Sequence, residues 1–142
     1  RQKMLDELGD SLDLSRVHFL GKLPYVVYLK VLQVSAAHVY LTYPFVLSWS
    51  MLEAMSAGCL LVASRTAPVE EVIRDGENGL LVDFFNPAEI AERVAAALDD
   101  RAAFVPLREN ARRTIVEKYD LKTICLPQQV RMVEALASRA CG

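Results

Sequence analysis

The sequence predicts an α/β domain in which helices flank a parallel sheet. Four short apolar runs alternate with helical patterns along the chain, and this order favours right-handed βαβ crossovers. The runs are Val17–Leu20, Val39–Tyr43, Cys59–Ala63 and Leu80–Asp83. A hydrophobic fraction of 53% is also high enough for strands that are buried on both faces. We therefore expect a Rossmann-like sheet between two layers of helices.

The size and charge of the chain exclude several classes of protein. Its 142 residues predict a single domain, 1–142, and because the chain opens without an initiator Met we expect a piece of a longer one. A net charge of −2 with no basic cluster argues against nucleic-acid binding. No apolar run approaches the ~20 residues of a membrane span, so no transmembrane segment is expected. The scattered cysteines, Cys59, Cys125 and Cys141, predict reduced thiols in a cytoplasmic protein and no metal site.

Helix signals lie between the apolar runs and after them. Asn86, Pro87 and Glu89 form a helix start, with an amide cap, a proline in the first turn and an acid at the third position. The other predicted helices are Tyr25–Ser35, Ser50–Gly58, Val69–Arg74, Leu107–Tyr119 and a last one that ends near Ser138. Pro127 lies inside the last helix, which either begins near Gln128 or kinks there.

One stretch, residues 43–64, combines the features of a ligand site. It reads as a strand end, a short polar loop, a helix and a second strand. The loop therefore lies at the carboxyl end of a strand and leads directly into a helix N-terminus. Free backbone N–H groups and the helix dipole attract anions at such a point, and ligands of open parallel sheets collect there. A phosphate is the expected ligand.

The same stretch has a family resemblance. LEAMSAG at Leu52–Gly58, followed by Leu60–Ala63, Glu71–Ile73 and NGLLV at Asn78–Val82, resembles the carboxyl-terminal domain of the retaining glycosyltransferases of family 4, which have the GT-B fold. The match runs from about Val17 to Leu98 and more loosely to the C-terminus. The resemblance implies a domain that binds a nucleotide-diphosphate sugar as donor substrate. An N-terminal domain of the same longer chain would face it across a cleft and hold most of the acceptor site.

Glu53 is the residue that this resemblance marks most directly. It matches the family's second motif glutamate, which accepts hydrogen bonds from the ribose hydroxyls of the donor. A carboxylate has two acceptor oxygens and suits a vicinal diol. The residues alone leave an alternative open, since Ser50 and Glu53 have the spacing of a capping box in which Glu53 bonds back to the Ser50 amide.

The family's phosphate-contacting loop matches Val46–Ser50, but the loop here contains no glycine. Ser48 and Ser50 are expected to donate hydroxyl hydrogen bonds in place of a close backbone approach. Trp49 stands where the family usually has a smaller apolar residue. The alternatives are helix capping for the two serines and core packing for Trp49.

Phe45 is the clearest departure from the family pattern. The pattern is a glutamate, seven residues and a second glutamate, and counting back from Glu53 leads to Phe45. The missing carboxylate contacts hydroxyls of the transferred sugar in relatives. Because phenylalanine accepts no hydrogen bond, either the sugar is recognised differently or the protein is a catalytically degenerate module that binds nucleotides or acts as a scaffold.

The loop Gly21-Lys22-Leu23 matches the family loop that frames the nucleobase, with Leu23 against the ring. The alternative is an ordinary turn between a strand and a helix. No nucleophile or general base is identified in this chain, and the cations that neutralise the donor diphosphate in relatives lie before residue 1.

The implied reaction is sugar transfer with retention of configuration. Relatives generally need no bound metal, so no cofactor is expected, and the 142-residue chain alone is expected to be inactive. The family also has earlier strands before residue 1. If these are absent, the sheet has an open edge through which a homodimer could pair.

Overall fold

A computed structural model describes residues 2–43 and 46–140, and a three-stranded parallel sheet lies at its centre. The strands are β1 (His38–Tyr40), β2 (Leu61–Ser64) and β3 (Leu80–Val82), in the spatial order β1-β2-β3. Val39 lies opposite Val62, and Ala63 lies opposite Leu81. The predicted parallel α/β fold is therefore confirmed, with β1 and β3 at the two edges of the described sheet.

Seven α-helices are described around the sheet. They are α1 (Gln2–Leu8), α2 (Tyr25–Val34), α3 (Trp49–Ser56), α4 (Ala67–Glu70), α5 (Pro87–Asp99), α6 (Val105–Lys118) and α7 (Leu126–Ala140). Short 3-10 turns at Gly9–Ser11 and Leu14–Arg16 follow α1, and a π-helical turn at Leu121–Cys125 precedes α7. Within the described ranges, no helix combines the length and the apolar character that a membrane span requires.

Strand β2 is buried along its whole length because both of its faces are covered. Successive side chains of a strand point to opposite faces, so Leu61 and Ala63 join one core cluster while Val62 joins the other. The first cluster fills the space beneath α2, α3 and α6, and the second fills the space beneath α5. The continuous apolar run in the sequence is therefore explained by burial on two sides.

Helix α3 packs against α6, and two arginines of α6 hold its C-terminal end. Arg108 Nε donates to the Gly58 carbonyl at 2.7 Å, and Arg112 donates to the Ser56 carbonyl. Cations stabilise the C-terminus of a helix because they interact with its unpaired carbonyls and with the negative end of its dipole. Gly58 itself has φ +78°, a left-handed conformation that ends the helix cheaply only with glycine.

The predicted first strand, Val17–Leu20, is wrong. The segment follows a 3-10 turn, and the structure assigns no strand to residues 17–20. Its apolar side chains are only half-buried or exposed, with Leu20 54% exposed. An apolar run becomes a strand only where a neighbouring backbone pairs with it, and β1 pairs only with β2 in the described sheet.

The remaining predicted boundaries differ from the structure by a few residues. Asn86 is the N-cap of α5, as predicted, and its side chain accepts a hydrogen bond from the Glu89 N–H at 3.1 Å. Helix α7 begins at Leu126, so Pro127 lies in its first turn, and the alternative of a start near this point is the correct one. The helix predicted at 69–74 ends four residues earlier, at Glu70.

Asn78 is one of the few buried polar side chains of the described core, and it organises the turn before β3. Its Oδ1 accepts from the Arg74 N–H at 2.7 Å, and its Nδ2 donates to the Val72 carbonyl at 3.0 Å and to Thr114 Oγ1 at 3.1 Å. The last of these bonds connects the turn to α6. A buried amide is tolerated here because both of its polar atoms have partners.

Replacement of Asn78 by alanine is expected to lower the free energy of unfolding by about 1–3 kcal/mol, since a buried N–H and a buried carbonyl lose their partner. Urea unfolding of the purified protein measures this change. The matched control is Glu77→Ala at the neighbouring exposed position, which should change stability by less than about 0.5 kcal/mol. Equal effects of the two substitutions would show that the Asn78 contacts contribute nothing specific.

Candidate functional site

The carboxyl ends of the three strands form one edge of the sheet. We call this the ligand edge, and it is the candidate site. Because the strands are parallel, the described segments that follow them lie at the same edge, namely residues 41–43 and 46–48, 65–66 and 83–86. Helix α3 begins at the same edge. Its first turn presents backbone N–H groups and the positive end of the helix dipole, which suit an anion such as a phosphate.

Ser48 is the N-cap of α3. Its Oγ accepts a hydrogen bond from the Ser50 N–H at 3.3 Å, and the two serine hydroxyls are 3.0 Å apart. The Ser48 N–H in turn donates to the Tyr40 hydroxyl at 2.9 Å, which fixes the loop against the end of β1. Helix capping is therefore confirmed for Ser48. The capping box between Ser50 and Glu53 is wrong, because the helix begins before Ser50.

Trp49 is the first residue of α3, and 81% of it is exposed. Core packing, one of the two interpretations of this residue, is therefore wrong. Trp49 lies between Ser48 and Ser50 at the start of α3, and its role in a donor site stays a prediction. Phe45, which was predicted to replace the sugar-contacting carboxylate, lies outside the described residues.

Glu53 is half-buried and faces α2. It lines a cavity of about 260 Å³ between α2 and α3, together with Tyr25 and Gln33 among others. The pKa of the Tyr25 phenol is raised, first because its hydroxyl donates toward the Glu53 carboxylate, and further by partial burial and by the carboxylate charge. The Glu53 carboxylate is thus an acceptor beside the Tyr25 hydroxyl, and Arg112 of α6 lines the same cavity.

Tyr28 lies one helical turn after Tyr25, and the two rings are 6.2 Å apart. Its hydroxyl is buried and has no hydrogen-bond partner among the described residues. Burial raises the pKa of this phenol, and the negative charge of Glu53 raises it further. A buried hydroxyl without a hydrogen-bond partner is destabilising. A further polar group that bonded the Tyr28 hydroxyl would therefore stabilise this site.

The predicted nucleobase loop lies directly before α2. Gly21 has φ +63°, a left-handed conformation that favours glycine, while Lys22 is exposed and Leu23 is half-buried. The loop ends two residues before Tyr25, whose hydroxyl interacts with Glu53. The structure therefore brings the end of this loop close to Glu53. Sequence reasoning missed the tyrosine pair, although two tyrosines three residues apart just after the loop were a visible signal.

Arg65 is the cation that follows β2 at this edge, and two carboxylates hold it. Its guanidinium lies 2.9 Å from Asp75 and 3.6 Å from Glu70. Asp75 also accepts from the Leu81 N–H at 2.9 Å, so the pair connects β2 to the start of β3. The charge of Arg65 is therefore largely used within the fold.

A second cavity, of about 240 Å³, lies between α6 and residues 71–78, lined by Asn78 and Arg113 among others. Residues 71–78 precede β3, so this cavity lies toward the amino end of that strand. It is separate from the ligand edge, and none of the predicted site residues lines it.

Three comparisons with known proteins agree with the fold. The family model for glycosyl transferases group 1 matches residues 1–114. An uncharacterized glycosyltransferase of Methanocaldococcus jannaschii, MJ1069, is 29% identical over 107 residues, which are 75% of this chain and 27% of that protein. The chain therefore spans little more than a quarter of the length of that relative.

Two crystal structures resemble the chain closely in fold. Anabaena HepE in complex with UDP-glucose has a TM-score of 0.79 at 20% identity, over 96% of this chain and 35% of that chain. Sucrose-phosphate synthase of Thermosynechococcus elongatus has a TM-score of 0.75 at 26% identity, over 96% of this chain and 34% of that chain. The fold is thus that of one domain of a GT-B glycosyltransferase. Since the family model covers most of the chain, the protein belongs to the glycosyl transferases of group 1.

Proposed function

We propose that this chain is the donor-binding domain of a retaining glycosyltransferase, which transfers a sugar from a nucleotide-diphosphate sugar to an acceptor. The observation that carries the proposal is the family match over residues 1–114. It is supported by the geometry of the sheet edge, where a helix N-terminus, an exposed indole and an acidic acceptor lie within one strand–helix unit.

In this proposal, three groups of residues each contact a different part of the donor. Glu53 accepts hydrogen bonds from the ribose hydroxyls, and Tyr25 beside it gives the carboxylate its orientation. The start of α3, with Ser48, Trp49 and Ser50, faces the diphosphate. The Gly21–Leu23 loop, which leads into Tyr25, borders the nucleobase.

The diphosphate leaves as an anion, and its stabilisation is the electrostatic part of the reaction. The N-terminus of α3 supplies part of that stabilisation. Arg65 is ion-paired with Asp75, so the proposal takes further cations from the longer chain, and it requires no metal. Closure of a second, N-terminal domain over the donor would bring the acceptor into reach.

A catalytically degenerate module is the second candidate. Two departures favour it, namely Phe45 at the position of the sugar-contacting glutamate and the absence of glycine from Val46–Ser50. Such a protein would still bind the nucleotide through Glu53 and the start of α3, but it would transfer no sugar.

Transfer activity separates the two candidates. The complete protein is expected to transfer sugar from a nucleotide-diphosphate donor, with the anomeric configuration retained in the product. The 142-residue chain alone is expected to transfer none, because it lacks the partner half of the cleft. A screen with radiolabelled nucleotide sugars detects transfer, and NMR of the product gives the anomeric configuration. Nucleotide binding without any transfer would favour the degenerate module, and an inverted product would contradict retention.

Glu53→Gln tests the ribose assignment. Glutamine keeps one acceptor oxygen and loses the charge, so binding of the nucleotide diphosphate should weaken by roughly 1.5–3 kcal/mol, the range for a hydrogen bond to a charged group. Calorimetric titration of the complete protein measures this loss. Thermal stability should change little, since Glu53 is not part of the cap of α3.

The same variant gives a readout that is independent of the donor. Without the carboxylate, the pKa of Tyr25 should move down toward its ordinary value, which ultraviolet titration follows. Glu92→Gln, at an exposed position of α5, is the matched control and should change neither quantity. Unchanged nucleotide affinity in Glu53→Gln, together with a lowered Tyr25 pKa, would disprove the ribose role while leaving the geometry intact.

A further inference from the structure

Three aromatic rings meet at the ligand edge of the sheet, and none of the roles assigned above uses them. Tyr43 follows β1, while Phe84 and Phe85 follow β3. The ring centroid of Tyr43 lies 5.7 Å from that of Phe84 and 5.2 Å from that of Phe85, and the two phenylalanine rings are 5.0 Å apart. We call these three residues the aromatic cluster.

The aromatic cluster is at the surface and does not belong to the core. Tyr43 is 59% exposed and Phe85 is 69% exposed, and neither of the two described core clusters includes any of the three rings. Single exposed apolar residues need no explanation, but a contiguous patch of aromatic rings usually marks a binding site. The interplanar angles of 54°, 70° and 80° mean that the rings do not stack flat on one another, so ring faces remain open to a ligand.

Hydrogen bonds fix the backbone on both sides of the cluster. The Ser64 hydroxyl donates to the Thr42 carbonyl at 2.7 Å and accepts from the Thr42 N–H at 2.9 Å, which holds the residue before Tyr43 against β2. The Asp83 carboxylate accepts from the Phe85 N–H at 2.9 Å, and Glu89 accepts from the Asp83 N–H at 3.1 Å. A surface that is preorganised in this way loses little conformational entropy when a ligand binds.

The chemistry of the cluster fits a sugar ring. One face of a pyranose presents C–H groups, which pack on the electron-rich face of an aromatic ring, while the hydroxyls at the rim need hydrogen-bond partners. Tyr43 has its own hydroxyl, Asp83 directly precedes the two phenylalanines, and the carboxylate of Glu89 in α5 lies at the Asp83 N–H. The predicted nucleobase loop, in contrast, lies at the start of α2 beside Glu53.

We propose that Tyr43, Phe84 and Phe85 form a stacking platform for a sugar ring, which is either the transferred sugar of the donor or a sugar of the acceptor. The inference rests on the proposed function, and it deepens it by naming what recognises the sugar. In sequence, Phe45 stands where the family's first motif glutamate would be, so aromatic rings would take over a role that a carboxylate has in the family.

Binding measurements on the complete protein test the platform through Phe85→Ala and Phe85→Tyr. Phe85 is the most exposed ring of the cluster, and tyrosine retains the aromatic face. The control is Leu98→Ala, a similarly exposed apolar residue at the far end of α5, roughly 16 Å along the helix from Pro87. The probes are UDP with UDP-glucose, GDP with GDP-mannose, and the methyl glycosides of glucose, mannose, galactose and N-acetylglucosamine.

Phe85→Ala is expected to weaken the sugar-dependent part of binding roughly two- to tenfold, the factor that corresponds to the energy of one aromatic contact. Phe85→Tyr and Leu98→Ala should bind as the unsubstituted protein does. A loss confined to the nucleotide sugars, with UDP and GDP unchanged, assigns the platform to the transferred sugar. A loss confined to the methyl glycosides assigns it to the acceptor.

Three results would overturn the proposal. Equal binding of every sugar probe by Phe85→Ala and by the unsubstituted protein would show that the rings contact no sugar. An equal loss for UDP or GDP and for their sugar conjugates would show that the cluster holds the nucleotide. A melting temperature that falls by several degrees in Phe85→Ala, with sugar binding unchanged, would show that another part of the protein covers the rings. Glycosides that bind through Phe85 in a protein that binds no nucleotide would support the platform and contradict the proposed function.

Discussion

The candidate site depends on how α3 is held at its two ends. At its start, Ser48 caps the helix and donates its N–H to Tyr40 at the end of β1. At its end, Arg108 and Arg112 of α6 donate to carbonyls of Gly58 and Ser56. A helix of eight residues is unstable by itself, so these contacts and the buried side chains of α3 determine where its N-terminus points. The position of the proposed diphosphate site is therefore set by β1 and α6.

The charged groups at the ligand edge are largely engaged with other residues. This limits the electrostatic stabilisation that they provide to a bound anion. Glu53 lies beside two phenols whose pKa values are raised, and Arg65 is paired with Asp75. The described edge thus offers a carboxylate acceptor and a helix dipole. Its cation Arg65 is ion-paired with Asp75, and Arg112, which lines the cavity beside Glu53, donates to the Ser56 carbonyl. A helix N-terminus contributes roughly half an elementary charge, which is small beside a diphosphate. The proposed donor site would therefore need further cations beside the start of α3.

The elements that the sequence predicted well are those determined by local chemistry or by burial. The apolar runs at 59–63 and 80–83 are strands because both faces of the sheet are covered, and Asn86 caps α5 because amide oxygen and backbone N–H are close in sequence. The errors arose where contacts between residues distant in sequence determine the local structure. The apolar residues 17–20 are not a strand in the described structure, and pairing cannot be predicted from the run alone. Ser48 and Ser50 are equally suitable caps in sequence, and the Tyr40 hydroxyl, eight residues before Ser48, favours the earlier one.

The same distinction applies to the site residues. Glu53 was named from the motif, whereas Tyr25 and Tyr28 were missed, because only the packing of α2 on α3 brings them to Glu53. The aromatic cluster is a similar case, since Tyr43 and Phe85 are 42 positions apart and meet only because β1 and β3 end at one edge. The sequence analysis therefore named candidate residues that a motif marks one by one. It missed residues that come together only in the folded chain.

The loop without glycine has a consequence for how a ligand can be recognised at this edge. A glycine-rich loop lets the backbone approach a phosphate closely, because no Cβ intervenes. Here the chain between β1 and α3 is instead fixed by side chains: Ser64 bonds both the N–H and the carbonyl of Thr42, and Tyr40 bonds the N–H of Ser48. The hydroxyls of Ser64 and Tyr40 are thus engaged in holding the loop. Its exposed side chains, Tyr43 and Trp49, are left directed to solvent. If the donor binds here as proposed, ring faces and the hydroxyls of Ser48 and Ser50 are expected to contribute beside the N–H groups of α3, and the selectivity is expected to differ from that of a glycine-rich loop.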